Sequence, residues 1–559
     1  MNNKANTMSV SGTLLADMIR GGAANLYKNR AVVNDLNVFP IPDGDTGDNM
    51  YMTIGAGADA LEKDGNASLR EVSDKAAKGM LLGARGNSGV ILSRIFAGIA
   101  RGFAEKDGAE LSDVEKLGHA LSCGVTEAYG AVPSAVEGTI LTVCREGVAY
   151  ANSRLGAGTS LEDYFEDLTA ELRASLERTP DLLDVLRQAG VVDSGGAGFV
   201  YIAEGMKDVI DGKFSVDGNE NGTAASSKTA DISLFSEDSV LEFGYCTEFL
   251  LRLQNSKVDL SSFDENVIRD GLSAMGDSLV FFRDGSVVKV HVHTTSPGDI
   301  LNFCQKFGEF LTLKIENMTL QHHGSVVENR YEAKRIPPHK PYGTVAVATG
   351  KGIIDTFLSL GVDQVVNGGQ SMNPSAEDFI RAFGKINADV ILVYPDNGNV
   401  IMTARQAGAL YDKAEIRVIP TRTVGEGYAA LSMLDTSSGD TDAIAAEAED
   451  VISGVVCGSV SRANRDTEMN GIRIHSGNYI GFSDDVVYSD SPDRAEATLT
   501  LADRLGAGQF DILMLICGTD ADADEAQRIY SELEGKYRRT EIIMIDGGQP
   551  VFDYMIVLE

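Results

Sequence analysis

The segment Asn37–Met50 reads NVFPIPDGDTGDNM and carries the densest chemistry of the sequence. Three carboxylates, those of Asp43, Asp45 and Asp48, fall within six residues and are interleaved with glycines. Because like charges this close repel one another, a bound cation would stabilise the segment. Mg²⁺ takes a few carboxylate oxygens and completes its shell with water and substrate phosphates, so the pattern fits a magnesium loop. A solvated Asp-Gly turn is the alternative, and both interpretations stay open at this point.

A glycine-rich segment, Leu81–Ser93, reads LLGARGNSGVILS and leads into an apolar helical run. Its glycines open the backbone, and N–H groups at the start of a helix bind anions such as phosphate. Three glycines (Gly83, Gly86 and Gly89), together with Asn87 and Ser88, precede the predicted helical run. The segment is not a Walker motif, since no Gly-Lys-Ser/Thr follows. An ordinary capped helix start accounts for the same residues, so a structural role and a phosphate-binding role both remain open.

Two further segments place polar groups or glycines beside a helical run: EGTILTVCRE (Glu137–Glu146) and GVVDSGGAGF (Gly190–Phe199). Asp193 and Ser194 are of the residue types that cap helix N-termini. Both segments fit the same anion site as the acidic and glycine-rich segments, and helix capping is the alternative for each.

Hydrophobic periodicity divides the chain into three predicted domains. Residues 8–210 carry apolar residues at three- and four-residue spacing and few β-branched runs, which predicts an all-α domain with glycines in its loops. Residues 237–328 predict an α+β domain, with strands SLVFFRD and SVVKVHVHT across an Asp284-Gly285 turn. From 343 to 559, short apolar runs alternate with helical stretches, which indicates an α/β domain with a parallel sheet. Linkers rich in Gly, Ser, Asn or Pro are predicted at 211–236 and 329–342.

The net charge of −34 follows from 82 acidic against 48 basic residues among 559. A field this negative repels nucleic acid and anionic membranes, and no basic stripe offsets it, so we expect no nucleic-acid partner. No apolar run reaches the roughly 18 residues of a membrane span, and the first residues do not form a signal peptide. The six cysteines lie far apart, which is typical of reduced thiols and predicts a cytoplasmic protein.

Cys246, His291 and His293 form a second candidate metal site. The two histidines alternate along one predicted strand and therefore lie on the same face. A thiolate and two imidazoles suit Zn²⁺, which usually takes four ligands, and Glu248, water or a substrate oxygen would supply the fourth. A half-buried polar strand face with a small core cysteine is the alternative.

As a set, the four N-terminal segments resemble the dihydroxyacetone kinase L-subunit family. The variant PDGDTG…GARGNSG…EGTILTV…VDSGGAG is similar to the N-terminal domain of the ATP-binding large subunit of fatty acid kinases. The resemblance extends through FGYCTEFLL and VKVHVHT to GGQPVFDYMIVLE, so it covers nearly the whole chain. The region 343–559 resembles the DegV-type lipid-binding proteins that serve as small subunits of these kinases.

The resemblance implies a barrel of antiparallel helices in residues 8–210, with ATP across one end and Mg²⁺ on Asp43 and Asp45. The residues that it places around the nucleotide are Thr46, Asn49, Gly86, Asn87, Ser88, Thr139 and Asp193. Dihydroxyacetone kinases have a third metal-binding aspartate five residues before the pair, where this chain has Val38. Asn37 or Asp48 is then the expected third ligand.

Fatty acid kinases carry a zinc ion in a middle domain similar to this one, so the resemblance favours zinc at Cys246, His291 and His293. In the C-terminal domain, the loops TGKGI (Thr349–Ile353) and NGGQSMNPS (Asn367–Ser375) follow predicted strands, where parallel α/β sheets bind ligands. The alternative, which we favour, is that these loops are ordinary turns in a domain kept for docking or dimerisation.

These features predict a kinase that transfers a phosphoryl group from Mg-ATP to a fatty acid carboxylate and forms an acyl phosphate. A separate fatty-acid-binding small subunit would present the acceptor, and the chain is compatible with a homodimer. Two alternatives stay open: a kinase for a small hydroxy-ketone such as dihydroxyacetone, and a non-catalytic lipid-binding scaffold. All the nucleotide motifs precede Gly198, so residues 1–210 are expected to bind Mg-ATP without the rest of the chain.

Overall fold

A computed structural model describes residues from all three predicted domains. The described residues are 7–38, 41, 44–61, 67–106, 113–132, 134–213, 245–254, 256–258, 263–284, 286–317, 338–368 and 373–559. The chain divides into two compact units, Met1–Gly218 together with Pro337–Glu559, and Asn219–Ile336. Apart from their ends, the linkers predicted at 211–236 and 329–342 lie outside the described residues.

The N-terminal region is all helical, as predicted. Its helices are α1 (Gly12–Asp35), α2 (Thr46–Asp59), α3 (Leu69–Gly83), α4 (Gly86–Glu105), α5 (Asp113–Ala131), α6 (Ile140–Ser153), α7 (Leu161–Leu182), α8 (Asp184–Ala189) and α9 (Ser194–Ile210). Side-chain caps start several of them: Ser68 accepts a backbone N–H of α3, and Asp193 accepts one of α9. No helix among the described residues of the chain is long and apolar enough to cross a membrane.

From α1 to α7, each helix packs against the next one in the chain, and α9 packs on α7 and on α1, which closes the helical barrel. Large apolar side chains without exposed surface fill its core, among them Leu26, Met50 and Ile54. The α4 and α5 helices approach closely, because a Cβ on Gly98 would lie only 2.4 Å from the carbonyl oxygen of Cys123. The predicted all-α barrel is therefore confirmed.

The middle unit is an α+β domain built on a four-stranded antiparallel sheet of order β2-β3-β1-β4. Its elements are β1 (Tyr245–Leu253), α10 (Asn266–Ser273), β2 (Asp277–Asp284), β3 (Val287–Thr294), α11 (Pro297–Cys304) and β4 (Gly308–Asn317). The strands β2 and β3 pair as the predicted hairpin. The sheet and the two helices share a core that includes Phe249, Val290, Ile268 and Ile300.

The C-terminal region begins with a parallel sheet of order β6-β5-β7-β8, as the sequence predicted. Its elements are β5 (Lys340–Ala348), α12 (Lys351–Ser359), β6 (Gln364–Asn367), α13 (Ala376–Phe383), β7 (Ala388–Tyr394), α14 (Ile401–Leu410) and β8 (Glu415–Val418). The end of β5 is buried without alternation, as expected for a strand covered on both faces. Because β5 begins at Lys340, the end of the linker predicted at 329–342 belongs to the strand.

A second sheet, of order β13-β12-β9-β16-β14-β15, is mostly antiparallel, and only β14 and β15 are parallel to one another. The remaining elements are α15 (Val424–Ser432), α16 (Thr441–Gly454), β9 (Val456–Arg462), β10 (Thr467–Met469), β11 (Ile472–Ile474), β12 (Tyr479–Ser483), β13 (Val486–Ser491), α17 (Arg494–Arg504), β14 (Ile512–Cys517), α18 (Ala523–Lys536), β15 (Glu541–Asp546) and β16 (Tyr554–Leu558). The prediction of a parallel sheet thus describes the first sheet and one strand pair of the second. The β10–β11 pair connects β9 to β12, and β12 leads directly into β13, so neither connection contains the crossover helix that a parallel pair needs.

Candidate functional site

The acidic segment connects α1 to α2, and its second half forms the start of α2. Asp45 immediately precedes α2, and its side chain makes no capping hydrogen bond to the helix. Thr46 and Asn49 are buried in the first turn. Asp43 lies outside the described residues. The carboxylate of Asp45 therefore lies at the N-terminus of α2 and does not cap the helix.

Asp48, one of the two expected third metal ligands, contacts α1. Its Oδ1 lies 3.2 Å from Arg30 Nε, and its Oδ2 accepts a hydrogen bond from Asn34 Nδ2 at 2.7 Å. The same Asn34 side chain accepts the Gly47 N–H at 2.7 Å. Both oxygens of Asp48 thus hold the start of α2 against α1. The backbone of Asn37, the other expected ligand, continues this turn by donating its N–H to the Asn34 carbonyl oxygen at 3.1 Å.

The glycine-rich segment meets the acidic segment at the start of α4. Gly86 has a φ of +57°, a backbone conformation that L side chains rarely adopt. A Cβ at this position would lie 2.7 Å from Nδ2 of Asn49 and 3.1 Å from Nδ2 of Asn373. Glycine therefore permits both the turn and the close approach of the two segments.

The starts of four helices converge at this end of the barrel. Gly86 of α4 touches Asn49 of α2, and Ser194 of α9 lies with its Oγ 3.3 Å from Thr46 Oγ1 of α2. A Cβ on Gly195 of α9 would be 3.3 Å from Cβ of Ile140 at the start of α6. Helix N-termini carry partial positive charge and unpaired N–H groups, so together they form a favourable environment for phosphate oxygens.

Of the other predicted nucleotide contacts, Thr139 and Asp193 stand at the N-cap positions of α6 and α9. Thr139 Oγ1 donates to the Val136 carbonyl oxygen at 2.8 Å, whereas Asp193 Oδ2 accepts the Gly196 N–H at 2.7 Å. Asn87 donates to Asn399 Oδ1 at 3.3 Å, and its own Oδ1 is buried without a hydrogen-bond partner in the described part of the chain. The predicted residues that the structure describes thus gather around the converging helix starts.

The sequence reasoning missed Asn373 as a residue of this site. Its side chain is 1% exposed, and its Nδ2 donates to Asp45 Oδ2 at 2.5 Å. Asn373 belongs to the segment Asn367–Ser375, which was noted only as a loop after a strand of the C-terminal domain. No sequence pattern connects positions 45 and 373, since only the docking of the two domains brings them together.

Burial raises the pKa of Asp193 from 3.8 to about 6, against the lowering effect of the Gly196 and Ile140 backbone N–H groups. Although part of the residue surface stays exposed, its carboxyl group is buried enough to lose hydration. A carboxyl group that holds its proton until nearly neutral pH would repel an anionic ligand less at this candidate phosphate-binding end.

We expect Asp193→Asn to remove a pH dependence of stability. Since the folded-state pKa is raised, the native protein binds the proton more tightly than the unfolded chain does. The free energy of unfolding therefore falls as pH rises from 4 through 6, by about 1–3 kcal/mol after allowance for the exposed surface. Asparagine keeps the cap but does not titrate. Denaturant unfolding at pH 4.5 and 7 should show a smaller difference for the variant, and equal differences would contradict the assignment.

In the middle unit, strand register places the predicted zinc residues close together along the backbone. Cys246 of β1 is paired with His293 of β3, and Glu248 is paired with His291. Directly paired residues in an antiparallel sheet have neighbouring side-chain positions. The side chains of these four residues lie outside the described part of the chain, so the zinc site stays a prediction that the register supports.

Another group of metal-ligand types lies on the barrel surface. His119 Nε2 is 3.1 Å from Glu105 Oε2 and 3.5 Å from Cys123 Sγ. Two helices contribute to this group. Cys123 lies one helical turn from His119 in α5, and Glu105 belongs to α4.

A cavity of about 270 Å³ lies in the C-terminal domain beside the loops that follow its strands. Thr349 and Gly368, from the two loops singled out in the sequence, line it, and so does Ile41 of the acidic segment. The carboxyl group of Asp396, which also lines the cavity, is buried, and burial raises its pKa well above the usual range. Thr421 Oγ1 and the Val347 backbone lower this pKa to a smaller extent, since neither makes a hydrogen bond of good geometry to the carboxylate. The cavity thus reaches from the C-terminal domain to Ile41 of the acidic segment.

Each of the three regions matches a known domain family. Residues 40–208 match the DAK2 domain, 242–325 match the middle domain of FakA-like fatty acid kinase proteins, and 343–559 match the C-terminal domain of the same FakA-like proteins. Among solved structures, a fatty-acid-binding DegV family protein from Thermus thermophilus aligns with a TM-score of 0.31 and 14% identity over 39% of this chain and 100% of that one. Dihydroxyacetone kinase from C. freundii aligns with a TM-score of 0.28 and 18% identity over 37% of this chain and 36% of that one.

Two relatives align with this chain along nearly their whole length. Protein YloV of Bacillus subtilis is 38% identical over 99% of this chain and 99% of its own length. An uncharacterized protein of Staphylococcus epidermidis is 36% identical over 98% of this chain and 99% of its own length. With three matching domains and relatives that align from end to end, the chain belongs to the FakA-like family of fatty acid kinase proteins.

Proposed function

We propose that this protein transfers the γ-phosphoryl group of Mg-ATP to the carboxylate of a fatty acid and releases ADP and an acyl phosphate. The observation that carries the proposal is the convergence of four helix N-termini beside the carboxylate of Asp45. Positive helix ends suit the phosphates, and a carboxylate suits the metal ion that accompanies them.

Asp43 and Asp45 would hold the magnesium ion. The donor set fits, because hard carboxylate oxygens stand beside N–H groups that take the phosphate oxygens. A Mg²⁺ ion bound there would neutralise negative charge on the transferred phosphoryl group. The start of α4 and the start of α9 would orient the nucleotide so that donor and acceptor lie in line.

No general base is required from the chain. A fatty acid carboxylate is ionised at neutral pH and attacks phosphorus directly. The chain's contribution is therefore to position the reactants and to stabilise charge, which are the main requirements of phosphoryl transfer. An alcohol acceptor such as dihydroxyacetone would need a proton acceptor in addition.

A separate lipid-binding protein would present the acceptor. An apolar tail exposed to water costs about 0.8 kcal/mol per CH₂, so a long acyl chain must stay enclosed while its carboxylate reacts. The helix starts at the end of the barrel are lined by hydroxyls, amides and glycines rather than by an apolar channel. The C-terminal domain offers the adjacent surface on which such a partner would dock.

The test is to incubate the full-length protein with Mg-ATP and a lipid-loaded binding protein, and to trap acyl phosphate with hydroxylamine. Hydroxamate that depends on all three components supports the proposal. ATP consumption with dihydroxyacetone in place of the lipid would favour the small-molecule kinase. Absence of turnover with either acceptor, although the lipid-loaded protein binds, would favour the non-catalytic scaffold.

We also propose one zinc ion per chain on Cys246, His291 and His293. Elemental analysis should find about one equivalent in the purified protein, because a thiolate and two imidazoles in paired strands match zinc's preference for sulfur and nitrogen. The double variant His291→Ala/His293→Ala should lose it. As a matched control, His119→Ala removes a histidine from the surface group with Glu105 and should retain the zinc. Equal zinc in wild type and double variant would rule the site out.

A further inference from the structure

The C-terminal domain packs directly on the helices that form the candidate nucleotide site. Helix α13 packs against α3, and α14 packs against α4. Gln406 of α14 is buried at this contact. Its side-chain amide donates to the carbonyl oxygen of Leu81 in α3 at 2.6 Å and accepts from Nε of Arg94 in α4 at 3.1 Å. Buried polar groups that are paired across an interface fix its geometry, so the two domains have a defined relation around α4.

One C-terminal segment reaches both phosphate-binding segments at once. Asn373 donates from Nδ2 to Asp45 Oδ2 at 2.5 Å and lies against Gly86. Its carbonyl oxygen accepts a hydrogen bond from Arg85 Nη1 at 2.6 Å. A short β-bridge between Arg85 and Ser375 continues the contact. Asn373 is thus held by the glycine-rich segment through its backbone and holds the acidic segment through its side chain.

The position of Asn373 is further fixed by the start of α13. Ser375 and Asp378 form a capping box, in which each side chain accepts the other residue's backbone N–H. Asp378 Oδ2 also lies 3.7 Å from Arg85 Nη1. Because the backbone on the C-terminal side is capped and that of Asn373 is bonded to Arg85, the amide has little freedom to turn away from Asp45.

A second C-terminal loop binds the first residues of the acidic segment through hydrogen bonds. Arg465 donates to the carbonyl oxygens of Asn37 and Val38, and Asn464 Nδ2 donates to that of Ile41 at 3.1 Å. These carbonyls belong to the approach to the metal-binding carboxylates and lie between α1 and α2, outside both helices. The C-terminal domain therefore restrains the acidic segment before the predicted metal ligands and at one of them, Asp45.

We propose that Asn373 is a positioning residue for the magnesium ligand Asp45, so that the C-terminal domain completes the metal end of the nucleotide site. The inference rests on the proposed function. The hydrogen bond from Asn373 to Oδ2 of Asp45 fixes the direction in which the lone pairs of the carboxylate point, and partners of this kind tune the affinity of a metal ligand. The side chain acts through Asp45 and need not touch the nucleotide. Residues 1–210 alone would then bind Mg-ATP with a less ordered metal ligand.

The test measures the Mg²⁺ dependence of ATP binding in the full-length chain. ATP binding is followed by equilibrium dialysis at increasing Mg²⁺ for wild type, Asn373→Ala and the control Asn302→Ala, which makes the same truncation on an exposed position of α11. Loss of a hydrogen-bond partner to a metal ligand typically costs 10–100-fold in metal affinity. We expect the Mg²⁺ midpoint of Asn373→Ala to rise about tenfold. ATP binding without Mg²⁺ and the midpoint of the control should stay at wild-type values.

An unchanged Mg²⁺ midpoint in the variant, with a Mg²⁺-dependent wild type, overturns the positioning role alone. A merely structural contact would instead lower thermal stability and Mg²⁺-free ATP binding together, and that pattern also overturns it. Wild-type binding without any Mg²⁺ dependence would overturn the proposed function and this inference with it. Asn373→Ser keeps a small polar group in the buried segment while losing the amide donor, so it decides the question if the alanine variant does not fold.

Discussion

Asp45→Asn should lower acyl phosphate formation by about 10²-fold or more and leave the fold intact. The carboxylate stands at the N-terminus of α2 without capping it, so its charge is not needed for the helix. Replacing it with an amide removes a full negative charge from the proposed metal shell and weakens neutralisation of the phosphoryl group in the transition state. Turnover at saturating Mg-ATP is the measurement, with circular dichroism as the check on folding. We expect the same loss for Asp43→Asn.

Asp59→Asn is the matched control for this prediction. It makes the same chemical change at an exposed position at the other end of α2. Removing an acidic group from a helix C-terminus is neutral or slightly stabilising, so turnover should remain at the wild-type level. Asp48→Asn should have a smaller effect than Asp45→Asn, because Asp48 is bonded to Arg30 and Asn34. Wild-type turnover in Asp45→Asn would show that the magnesium assignment is wrong.

Gly86→Ala should reduce turnover by roughly 10²-fold, since small displacements of positioning groups carry rate penalties of that size. The new Cβ would lie 2.7 Å from Nδ2 of the buried Asn49, which must shift and move the starts of α2 and α4 apart. Left-handed backbone geometry at this residue adds about 1–2 kcal/mol of destabilisation for any L side chain. Turnover and thermal unfolding measured on the same sample separate the two effects.

Gly55→Ala provides the comparison, at a glycine inside α2. A Cβ at Gly55 of α2 would meet nothing within 4 Å, and alanine is the better helix former by up to about 1 kcal/mol. Its stability should therefore rise or stay unchanged, with wild-type turnover. If Gly86→Ala behaved like Gly55→Ala, the close approach at the start of α4 would have no catalytic importance.

Local patterns predicted the regular elements well where the apolar residues are regularly spaced or where a short turn joins two strands. The helices of the barrel, the β2–β3 hairpin and the parallel strands β5, β7 and β8 all follow from spacing and turn residues. The antiparallel strands β9, β12 and β13 were missed because they are short and partly polar, as in the alternating burial of Val486–Ser491. Their direction depends on which strand they pair with, and one segment of sequence does not contain that information.

The candidate site shows the same division between local and long-range information. Clusters such as PDGDTGD and GARGNSG can be recognised because all their members are adjacent in sequence. The role of Asp48 was left open, since its partners Arg30 and Asn34 lie one helix away and have no distinctive spacing. The surface group of His119 shows the same limit, because Cys123 lies one helical turn away whereas Glu105 belongs to another helix.

The sequence by itself determined the helical class of the N-terminal domain, the segments that are candidates for phosphate binding and the family of the chain. Those features depend on periodicity, glycine placement and local charge, which are properties of neighbouring residues. Only the tertiary structure decided that the four helix starts meet at one end and that Asn373, 328 positions from Asp45, donates to its carboxylate. Such contacts arise when apolar faces of separate domains pack and carry polar side chains with them, so their partners are selected in space and not along the chain.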